Sequence, residues 1–374
     1  MASINLQGDT SGSISISAPS VAGSNTLTLP ATTQTLATQN ALGVRNLIIN
    51  GDMRIDQRNA GASVTATTGN EYSIDRFQTV SSVSSKYTIQ QSTTSPDDFV
   101  NSVVVTSSSA YSVGASEQFL LRHHVEGLNS AHLLWGTANA KTVTLSFWTR
   151  SSLTGTFGGS VFNYDGTRSY PFTYSISSAD TWEQKTITIA GDTSGTWLTT
   201  NGVGLTISFG LGVGSTLSGT AGAWAGAYYS SATGATSVVG TSGATWYITG
   251  VQLEVGDTAT PFEHRPYDME LARCQRYYQI PFGNGCIGHW DSSTQIWWGV
   301  RYYCEMRATP SVTLLNTALT IRHNGNKTSS GSAIYFTELS QTGASIAING
   351  WTGGTTVQFA VLRTDKSAAF SAEL

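Results

Sequence analysis

The stretch ITGVQLEVGDTATPFEHRPYDMELARCQRYYQ, residues 248–279, changes character along its length. Residues 246–255 alternate apolar and polar side chains, which predicts a β-strand that pairs into a sheet. The turn GDTATP follows, and Pro266 then stands where proline favours the first turn of a helix. Asp268 and Glu270 come next, where the helix dipole favours negative charge. The stretch therefore predicts a joint between a β domain and a short helix.

The predicted helix, residues 266–280, carries an apolar stripe. Leu271, Cys274 and Tyr278 fall at helical spacing on one face, and such a stripe needs a surface to cover it. Three copies of the helix around a common axis would provide that surface, which makes these three residues candidates for a trimer interface. Docking of the stripe on the same chain's β domain is the alternative. Phe262, just before the helix, can pack back against the edge of that domain.

Composition limits the classes of partner. The chain has 374 residues, of which 11% are charged, where about 25% is usual, and its formal net charge is −4. No basic patch is present to hold nucleic acid or an anionic membrane surface, so we expect neither partner. The amino-terminal residues do not resemble a signal peptide, and no apolar run reaches about 18 residues. We expect synthesis in a cytoplasm and no membrane insertion.

The three cysteines do not predict a metal or redox site. Cys274, Cys286 and Cys304 lack the close pairs that zinc and disulfide-exchange sites use. We interpret them as buried or half-buried thiols. The sequence predicts no cofactor.

Residues 1–44 form a first segment of short alternating stretches. The alternation in Ser13–Ser17 and in residues 26–29 predicts strands, which Pro19 and Pro30 interrupt. A ribbon this small cannot bury enough apolar surface to fold alone. We therefore expect neighbouring chains to order it.

Residues 45–265 contain many short strand signals separated by turn residues. These signals are NLIINGDM, YSIDRFQTV, FVNSVVVTSS, EQFLLRHHV, KTVTLSFWTR, WEQKTITIAG, GVGLTISFGLG and TWYITGVQLEV. Eight or more strands with hardly any helical periodicity predict an antiparallel sandwich, and this number fits a jelly roll. We interpret most of the strand rings as core; they are Phe147, Trp148, Trp182, Trp246 and Tyr247.

These stretches together resemble one family. RNLIINGDMRIDQRNAG, YSIDRF, VTLSFWTR, TWEQKTITI and the joint itself resemble the jelly-roll module of many bacteriophage tail fibre and related virion appendage proteins. GSNTLTLPATTQTLAT is similar to the attachment segments of such fibres, and the final FSAEL resembles their usual end. The resemblance implies a jelly roll related to carbohydrate-binding modules, a homotrimer and a role in host adsorption.

Residues 281–374 predict a further β domain, which we call the knob. It is rich in rings, and adjacent pairs on a strand point to opposite faces, so one of each pair should lie on the less buried side. An exposed ring with polar neighbours can stack on a sugar, and it can equally form a subunit interface. The knob candidates for glycan contact are Trp290, Trp297, Trp298, Tyr302 and Tyr303, and further rings stand at Tyr335 and Trp351. Asn324-Gly325 and Asn349-Gly350 are predicted turns.

Residues 210–245 read as a long loop of small residues that carries three rings. Long loops without their own core are often functional. Trp224, Tyr228 and Tyr229 are therefore second candidates for glycan or neighbour contact. Packing of the loop over the sandwich through Trp224 is the alternative.

The sequence contains only weak signals for a catalytic or metal site. A glycosidase needs two carboxylates across a cleft, and the densest acidic group lies at the joint, where turns and helix capping already explain it. That group is Glu254, Asp257, Glu263, Asp268 and Glu270, with His264 and Arg265 beside it. His123, His124 and Glu126 suggest a metal site, but neighbouring strand residues diverge to opposite faces. A structural calcium near Asn50, Gly51 and Asp52 has no support from spacing, and GLGVG at 210–214 reads as a hairpin tip or a tight strand bend.

The sequence therefore predicts an all-β protein in four parts. Residues 1–44 form an attachment segment, 45–265 a jelly-roll sandwich, 266–280 a linking helix and 281–374 the knob. The leading hypothesis is a non-enzymatic, homotrimeric virion fibre protein, made in a host bacterial cytoplasm. In that hypothesis the first segment contacts other virion tail proteins, and the knob binds host-surface polysaccharide or lipopolysaccharide. A purely structural connector or decoration fibre and a polysaccharide depolymerase are the alternatives.

Overall fold

The computed structural model describes a large part of the chain, as ten segments. They are residues 3–7, 12–17, 45–283, 285–292, 294–316, 319–322, 326–329, 334–349, 359–362 and 367–374. The chain divides into two compact units, Met1–Val44 and Arg45–Leu374. Several predicted features lie outside the described residues: the strand at 26–29, the central residues of the Asn324-Gly325 turn, Gly350 and Trp351.

The first unit contains an antiparallel hairpin. Strand β1 (Ser3–Gln7) pairs with β2 (Ser13–Ser17), and Ile4 stands opposite Ile16. The strand predicted from the alternation in Ser13–Ser17 is thus present.

The second unit begins with a β-sandwich. In chain order its strands are β3 (Val64–Thr65), β4 (Gly69–Ile74), β5 (Phe77–Ser81), β6 (Tyr87–Ser92), β7 (Ser102–Ser107), β8 (Gln118–Glu126), β9 (Val143–Ser151), β10 (Gly155–Phe162), β11 (Ser169–Ile176), β12 (Glu183–Ile189), β13 (Val203–Val213), β14 (Ser218–Gly219), β15 (Ser231–Ala232) and β16 (Thr245–Val255). Helix α1 (Gly127–Ser130) and two 3-10 turns, Ala131–Leu133 and Ser215–Leu217, lie between strands.

Two six-stranded sheets make up the sandwich within residues 45–283, a range described without a gap, and β14 and β15 form a separate parallel pair. The strand orders of the two sheets are β11-β10-β13-β8-β5-β4 and β12-β9-β16-β7-β6-β3, and the pairings within both sheets are antiparallel. The chain passes repeatedly from one sheet to the other, as in a jelly roll. The predicted all-β jelly-roll class is therefore confirmed.

The sandwich core follows from strand alternation. Val143, Leu145 and Phe147 of β9 point inward and are fully buried, as are Trp246 and Ile248 of β16. These side chains belong to one apolar cluster between the two sheets. Their strand neighbours point to the outer face, which becomes important for the site below.

The joint starts at the end of β16 and contains helix α2 (Tyr267–Gln275). Pro266 is its amino-terminal cap residue, and Asp268 and Glu270 lie in the first turn, as predicted. Glu270 is buried and accepts a hydrogen bond at 3.1 Å from the Arg265 guanidinium. The helix is therefore held by a buried ion pair in addition to its dipole. Neither described helix is long and apolar enough to cross a membrane.

The helix stripe is covered by the chain itself. Leu271 and Cys274 pack with Ile49 and with Tyr277, which follows the helix. The expected continuation to Tyr278 is wrong, because the helix ends first and Tyr278 pairs with Ser371 in a sheet. Cys274 is fully buried and Tyr278 nearly so. Cys274 and Tyr278 therefore offer little surface to a neighbouring chain. The stripe docks on its own chain, which was the alternative to a trimer interface.

The knob follows directly after the helix. Its described strands are β17 (Tyr278–Phe282), β18 (Ile287–Trp290), β19 (Gln295–Arg301), β20 (Ser311–Leu314), β21 (Leu319–Arg322), β22 (Asn326–Ser329), β23 (Ile334–Thr337), β24 (Gly343–Asn349), β25 (Phe359–Leu362) and β26 (Ala368–Ser371). They form sheets of order β17-β26-β20 and β22-β21-β25-β18-β19-β24-β23, which enclose a second apolar cluster.

Residues 372–374 tie the knob to the sandwich. The Glu373 carboxylate forms ion pairs with Arg58, at 2.7 Å, and with the fully buried Arg76. The Tyr72 hydroxyl donates to the Leu374 carbonyl at 2.9 Å. Residues 372–374 thus hold the knob against the sandwich through contacts within the chain.

Candidate functional site

A groove of about 700 Å³ lies on the outer face of the sheet β12-β9-β16-β7-β6-β3. Ser146 and Trp148 of β9 and Gln184 and Thr186 of β12 line it. Trp148 stands opposite Gln184 in the strand register, and Ser146 stands opposite Thr186. Opposed residues of antiparallel strands point to the same face, so the four side chains form one continuous floor.

Three rings form one wall of the groove. Phe99 comes from the loop between β6 and β7, and Phe262 and His264 come from the joint. The ring centroids are 5.1 Å apart for Phe99 and Phe262, and 4.9 Å apart for Phe262 and His264. The predicted packing of Phe262 against the sandwich edge is therefore present. Two segments distant in sequence build this wall.

Gly250 shapes the groove between the wall and the floor. It lies in β16 at an irregularity of the pairing with β9, and its φ is +61°. A Cβ atom at this position would lie 2.7 Å from Cζ of Phe99 and 3.1 Å from Cδ1 of Trp148. Glycine satisfies both the positive φ and the close approach of the two rings.

The ring surface continues along the sheet beyond the groove. Arg150 follows Trp148 by two residues on β9 and stands opposite Tyr247 of β16. Its guanidinium lies 5.2 Å from the Tyr247 ring centroid, and the Tyr247 ring lies 5.9 Å from that of Trp182. Arg150 also pairs with the exposed Asp180 at 3.1 Å. The outer face thus presents half-buried rings over a longer path than the groove alone.

The groove carries little charge. Among the described residues that line it, Asp98 and His264 are the ionisable ones, and both are exposed. Gln184 and Thr186 are also exposed and provide an amide and a hydroxyl group. The arrangement can therefore bind a ligand that has apolar faces and uncharged hydrogen-bonding groups.

The interpretation of most strand rings as core is wrong, because two of the five are buried and three are half-buried. Phe147 and Trp246 are fully buried, whereas Trp148, Trp182 and Tyr247 are half-buried on the outer face. The signal was available in the adjacent pairs Phe147-Trp148 and Trp246-Tyr247, since one member of each must face outward. The same rule, applied to the knob pairs, had predicted one less buried ring in each.

The knob candidates separate into buried and accessible rings. Trp290 and Trp298 are each 1% exposed and face the knob core, so they offer no surface to a glycan, which corrects that expectation. Tyr302 is also buried, with its ring centroid 5.0 Å from that of Phe370. Trp297 is half-buried, in agreement with the pairing rule. Tyr303 is exposed, but Tyr302 and Tyr303 follow the end of β19 at Arg301, so strand alternation does not explain the difference between them.

The rings of residues 210–245 pack on the sandwich. The Trp224 ring lies 5.3 Å from Trp135 and 5.5 Å from Trp197, and its Nε1 donates to the Ala190 carbonyl at 2.7 Å. The Tyr228 hydroxyl bonds the side chain of Gln118 at 3.1 Å, and Tyr229 is half-buried. The structure therefore shows the alternative arrangement, a loop packed over the sandwich. GLGVG is a bend in β13, which shifts register between Gly210 and Gly212.

Two acidic residues of the joint, Glu254 and Glu263, accept hydrogen bonds from other groups of the chain. Glu254 accepts hydrogen bonds from the amide nitrogen and the hydroxyl of Thr260, at 2.8 and 2.7 Å. Glu263 accepts from the Asn46 amide nitrogen at 2.8 Å. Asp257 and Asp268 are exposed. Glu254 thus has the turn role expected from its position, whereas α2 has no side-chain cap hydrogen bond.

The His123, His124 and Glu126 side chains go to separate partners. His123 Nε2 lies against the backbone of Ile49, and His124 Nδ1 lies 2.7 Å from the Thr206 hydroxyl. Burial lowers the pKa of both imidazoles well below their usual value. Glu126 bonds Arg276 at 2.8 Å and the Tyr277 hydroxyl at 2.6 Å. The two histidines are therefore neutral interior residues at neutral pH.

The polar residues considered for a calcium site, Asn50 and Asp52, interact with other groups of the protein. The Asn50 Oδ1 accepts from the Ile55 amide nitrogen at 2.9 Å, and Asp52 pairs with Arg54. In the part of the chain that the structure describes, no three His, Cys, Asp or Glu side chains are grouped to hold a metal ion. Among the cysteines, Cys274 is buried and Cys286 and Cys304 are partly buried, as expected.

Comparisons with known proteins identify no family for this chain. No protein-family model and no curated protein match it. Among solved structures, the enzymatically active domain of tailspike protein 4 from bacteriophage CBA120 is 12% identical with a TM-score of 0.29, covering 56% of this chain and 21% of that one. The family 11 carbohydrate-binding module of a Clostridium thermocellum cellulase is 12% identical, with a TM-score of 0.26, and 52% of this chain and all of that one are covered. The TmCBM61 module in complex with β-1,4-galactotriose is 11% identical with a TM-score of 0.28, covering 57% of this chain and 100% of that one. At these values the matches assign neither activity nor partner to this protein.

Proposed function

We propose that this protein is a non-catalytic, glycan-binding fibre protein of a bacteriophage virion, and that the groove on the sandwich holds the glycan. The observation that carries the proposal is the groove itself. Its floor places the ring of Trp148 beside the polar side chains of Gln184 and Thr186, and its wall adds the rings of Phe99 and Phe262. A pyranose has one apolar face, which stacks on a ring, and a rim of hydroxyl groups, which need amide and hydroxyl partners. The groove offers both kinds of contact side by side.

The charge of the groove favours a neutral glycan. No described Lys or Arg side chain lines it, whereas the carboxylate of Asp98 does. On the same face the Arg150 guanidinium is paired with Asp180. The Arg45 guanidinium donates to the carbonyl of Pro261, which lines the groove, at 3.0 Å. The carboxylate of Asp98 would repel an acidic or phosphorylated sugar at its edge of the groove. Neutral stretches of host-surface polysaccharide or lipopolysaccharide are therefore the proposed ligands.

The non-catalytic part of the proposal rests on the joint. Its buried carboxylates, Glu254 and Glu270, accept hydrogen bonds from backbone amides and from Arg265, so they are committed to holding the fold. The carboxylate that lines the groove is Asp98, and no second described carboxylate lines it. Glycoside hydrolysis ordinarily uses two carboxylates on opposite sides of the bond.

The virion part of the proposal rests on the sequence resemblance. In this proposal, the separate unit Met1–Val44 attaches the protein to other virion tail proteins, three copies assemble, and the protein mediates host adsorption after release from the bacterial cytoplasm. A connector or decoration fibre would share this architecture without binding host glycan.

Binding of the full-length protein to host cells and to a panel of purified neutral and acidic glycans tests the proposal. Trp148→Ala should weaken binding about thirtyfold, since truncating a central interface ring costs about 2 kcal/mol. Tyr164→Ala is the matched control, because Tyr164 is an exposed ring outside the groove, 52% accessible. Equal glycan binding by the two variants would place the glycan outside the groove. No binding by folded wild-type protein to any host glycan would favour the connector.

A further inference from the structure

Two rings and an arginine lie side by side on the outer face of the sandwich, next to the groove. Arg150 follows the groove residue Trp148 by two positions on β9 and stands opposite Tyr247 of β16. Trp182, which directly precedes β12, brings its ring to 5.9 Å from the Tyr247 ring, at an interplanar angle of 70°. We call these two rings the ring corner. Two residues along a strand span about 6.7 Å, so the ring corner lies one short step from Trp148.

Hydroxyl groups border the ring corner on the side away from the groove. Thr245, two residues before Tyr247 on β16, stands opposite Thr106 of β7. Thr106 in turn stands opposite Thr88 of β6. Opposed residues share a face, so the three threonines lie on the face that carries Tyr247, and all three are half-buried, as are both rings. The ring corner therefore combines rings with uncharged hydrogen-bonding groups, as the groove does.

One ion pair sets the charge beside the ring corner. The Arg150 guanidinium pairs with the carboxylate of Asp180 at 3.1 Å. Lys185 and Glu183 of β12 pair with each other, and they alternate with Gln184 of the groove floor, so their side chains start on the other face of the strand. The Arg150 and Asp180 pair has no net charge. A ligand on the ring corner therefore meets a balanced pair of charges for as long as Asp180 is ionised and in place.

The backbone holds Asp180 within reach of Arg150. Asp180 lies in the connection between β11 and β12 and has a φ of +55°, a left-handed conformation that aspartate adopts more readily than most residues. Its amide nitrogen donates to the Ser151 carbonyl, at the end of β9, at 2.7 Å. The backbone position of Asp180 therefore does not depend on the ion pair. Asparagine tolerates the same conformation, so the charge can be removed without moving the connection.

Arg150 keeps hydrogen-bonding capacity that Asp180 does not use. A guanidinium has five N–H groups in a planar fork that suits a carboxylate. Among the described residues, the Arg150 side chain makes one hydrogen bond, to Asp180, and its Nε is buried without a partner. Asp180 is 56% exposed, and exposed ion pairs of this kind are weak. Without the Asp180 charge, Arg150 would attract the carboxylate of an acidic sugar on the ring corner.

We propose that the ring corner is a second sugar-contact site, continuous with the groove, and that Asp180 restricts it to neutral sugars by neutralising Arg150. This inference rests on the proposed function and adds to it the residue that determines the charge of the ligand. Discrimination between ligands often depends on a group that repels the wrong one. An acidic sugar on the ring corner would meet the Asp180 carboxylate, whereas a neutral sugar would stack on the rings beside a pair without net charge.

The test compares one polysaccharide in two forms. Neutral polysaccharide purified from the host surface is used as isolated and after oxidation of its primary alcohols to carboxylates, and binding of the full-length protein to each form is measured at low salt. Asp180→Asn should raise the affinity for the oxidised form about fivefold and change that for the neutral form by less than about twofold. Asp165→Asn is the matched control, since Asp165 is an exposed aspartate between β10 and β11 of the other sheet, and it should bind both forms as the wild type does.

The gain in Asp180→Asn should require Arg150. Arg150→Gln combined with Asp180→Asn restores a neutral pair of side chains, so the affinity for the oxidised form should return to about the wild-type value. Trp182→Ala should weaken binding of both forms about tenfold, whereas the exposed ring variant Tyr164→Ala should not. Circular dichroism shows whether each variant is folded, and Asp180→Asn tests the site even where Trp182→Ala fails to fold.

The outcomes separate this inference from the proposed function. An Asp180→Asn variant that binds the oxidised form no better than the wild type overturns the inference. So does a folded Trp182→Ala variant that binds both forms as the wild type does. In either case, weaker binding by Trp148→Ala leaves the groove as the glycan site. Absence of binding of both forms to the folded wild type removes the proposed function, and this inference with it.

Discussion

At the joint between the sandwich and the knob, charged side chains are buried and paired, whereas in the groove the polar side chains are mostly uncharged and open to solvent. Arg265 and Arg76 lie inside the protein with Glu270 and Glu373. Gln184 and Thr186 lie at the surface beside Trp148. The segment that follows β16 contributes to both regions. In the first, charged side chains are buried in ion pairs, and in the second, uncharged polar side chains face solvent. A cluster of ionisable residues in this protein therefore marks a structural joint, and half-buried rings mark the candidate site.

The largest expected effect comes from breaking the joint. Glu373→Ala removes the partner of Arg76, whose side chain is fully buried. An unpaired buried charge costs about 3–5 kcal/mol, so we expect a loss of this size in the free energy of unfolding, measured by urea titration. Asp180→Asn is the control, because its ion pair with Arg150 is exposed and worth less than about 1 kcal/mol. Similar losses in the two variants would contradict the contrast between joint and surface.

Acid should destabilise the fold through two buried histidines of β8, His123 and His124. Burial, followed by the charges of Arg76 and Arg122 respectively, lowers the pKa of His123 and His124 in the folded protein. The unfolded chain takes up protons below its ordinary imidazole pKa of about 6.5, and the folded protein does not. Stability is therefore lost as the pH falls below about 6.5, by up to about 1.4 kcal/mol per pH unit for each histidine.

The same region contains an opposing group. Burial raises the pKa of Asp75 to about 6, so this carboxyl adds stability as the pH falls from about 6 towards 4. His124→Gln leaves Asp75 in place and isolates the histidine contribution. We expect the variant to be less stable than the wild type at pH 8, because it loses the bond to Thr206, and the gap to narrow towards pH 5. Parallel stability curves for the two proteins would show that folding does not change the pKa of His124.

A smaller effect should come from filling the groove. Gly250→Ala would push a methyl group against Phe99 and Trp148, and we expect glycan binding to weaken about tenfold, or 1.4 kcal/mol. Gly243→Ala is the matched control, since Gly243 also has a positive φ, of +74°, but open space around its Cβ position. Both variants should lose about 1–2 kcal/mol of stability from backbone strain. Isothermal titration with a bound glycan separates them, and equal affinities would place the ligand elsewhere.

The smallest effect is expected at Asp257, one of the exposed acidic residues of the joint. Asp257→Asn should change the free energy of unfolding by less than about 0.5 kcal/mol, because its carboxylate lies at the surface and bonds only the adjacent Thr258 among described groups. It should also leave glycan binding unchanged. Release of reducing sugar from a host polysaccharide by the wild type, lost in Asp257→Asn or Glu254→Gln, would instead establish a depolymerase.

The sequence was most informative where local pattern and local structure coincide. The alternation in β9 and β16, the proline and acidic residues at the start of α2, and the strand at Ser13–Ser17 were all predictable. Each depends on residues within one turn or one strand. The end of α2 was not predictable in the same way, since Tyr278 leaves the helix to pair with Ser371, far away in the chain.

The candidate site was harder to predict because it combines distant segments. Phe99 and Phe262 meet only because β16 lies between β9 and β7 in the sheet. No sequence pattern near either residue predicts that these two rings are in contact. Trp224 illustrates the opposite error. Its place in a run of small residues suggested a ring on an open loop, whereas in the structure it packs against Trp135 and Trp197.

Period-two alternation was enough to establish strands, an all-β class and the rule that Phe147 and Trp148 point to opposite sides. It could not say which of the two points inward, since reversing the faces leaves the pattern unchanged. That choice depends on which apolar surface the second sheet covers, and here the second sheet covers Phe147. Trp148 is left on the outer face, where the joint brings Phe262 to the same groove.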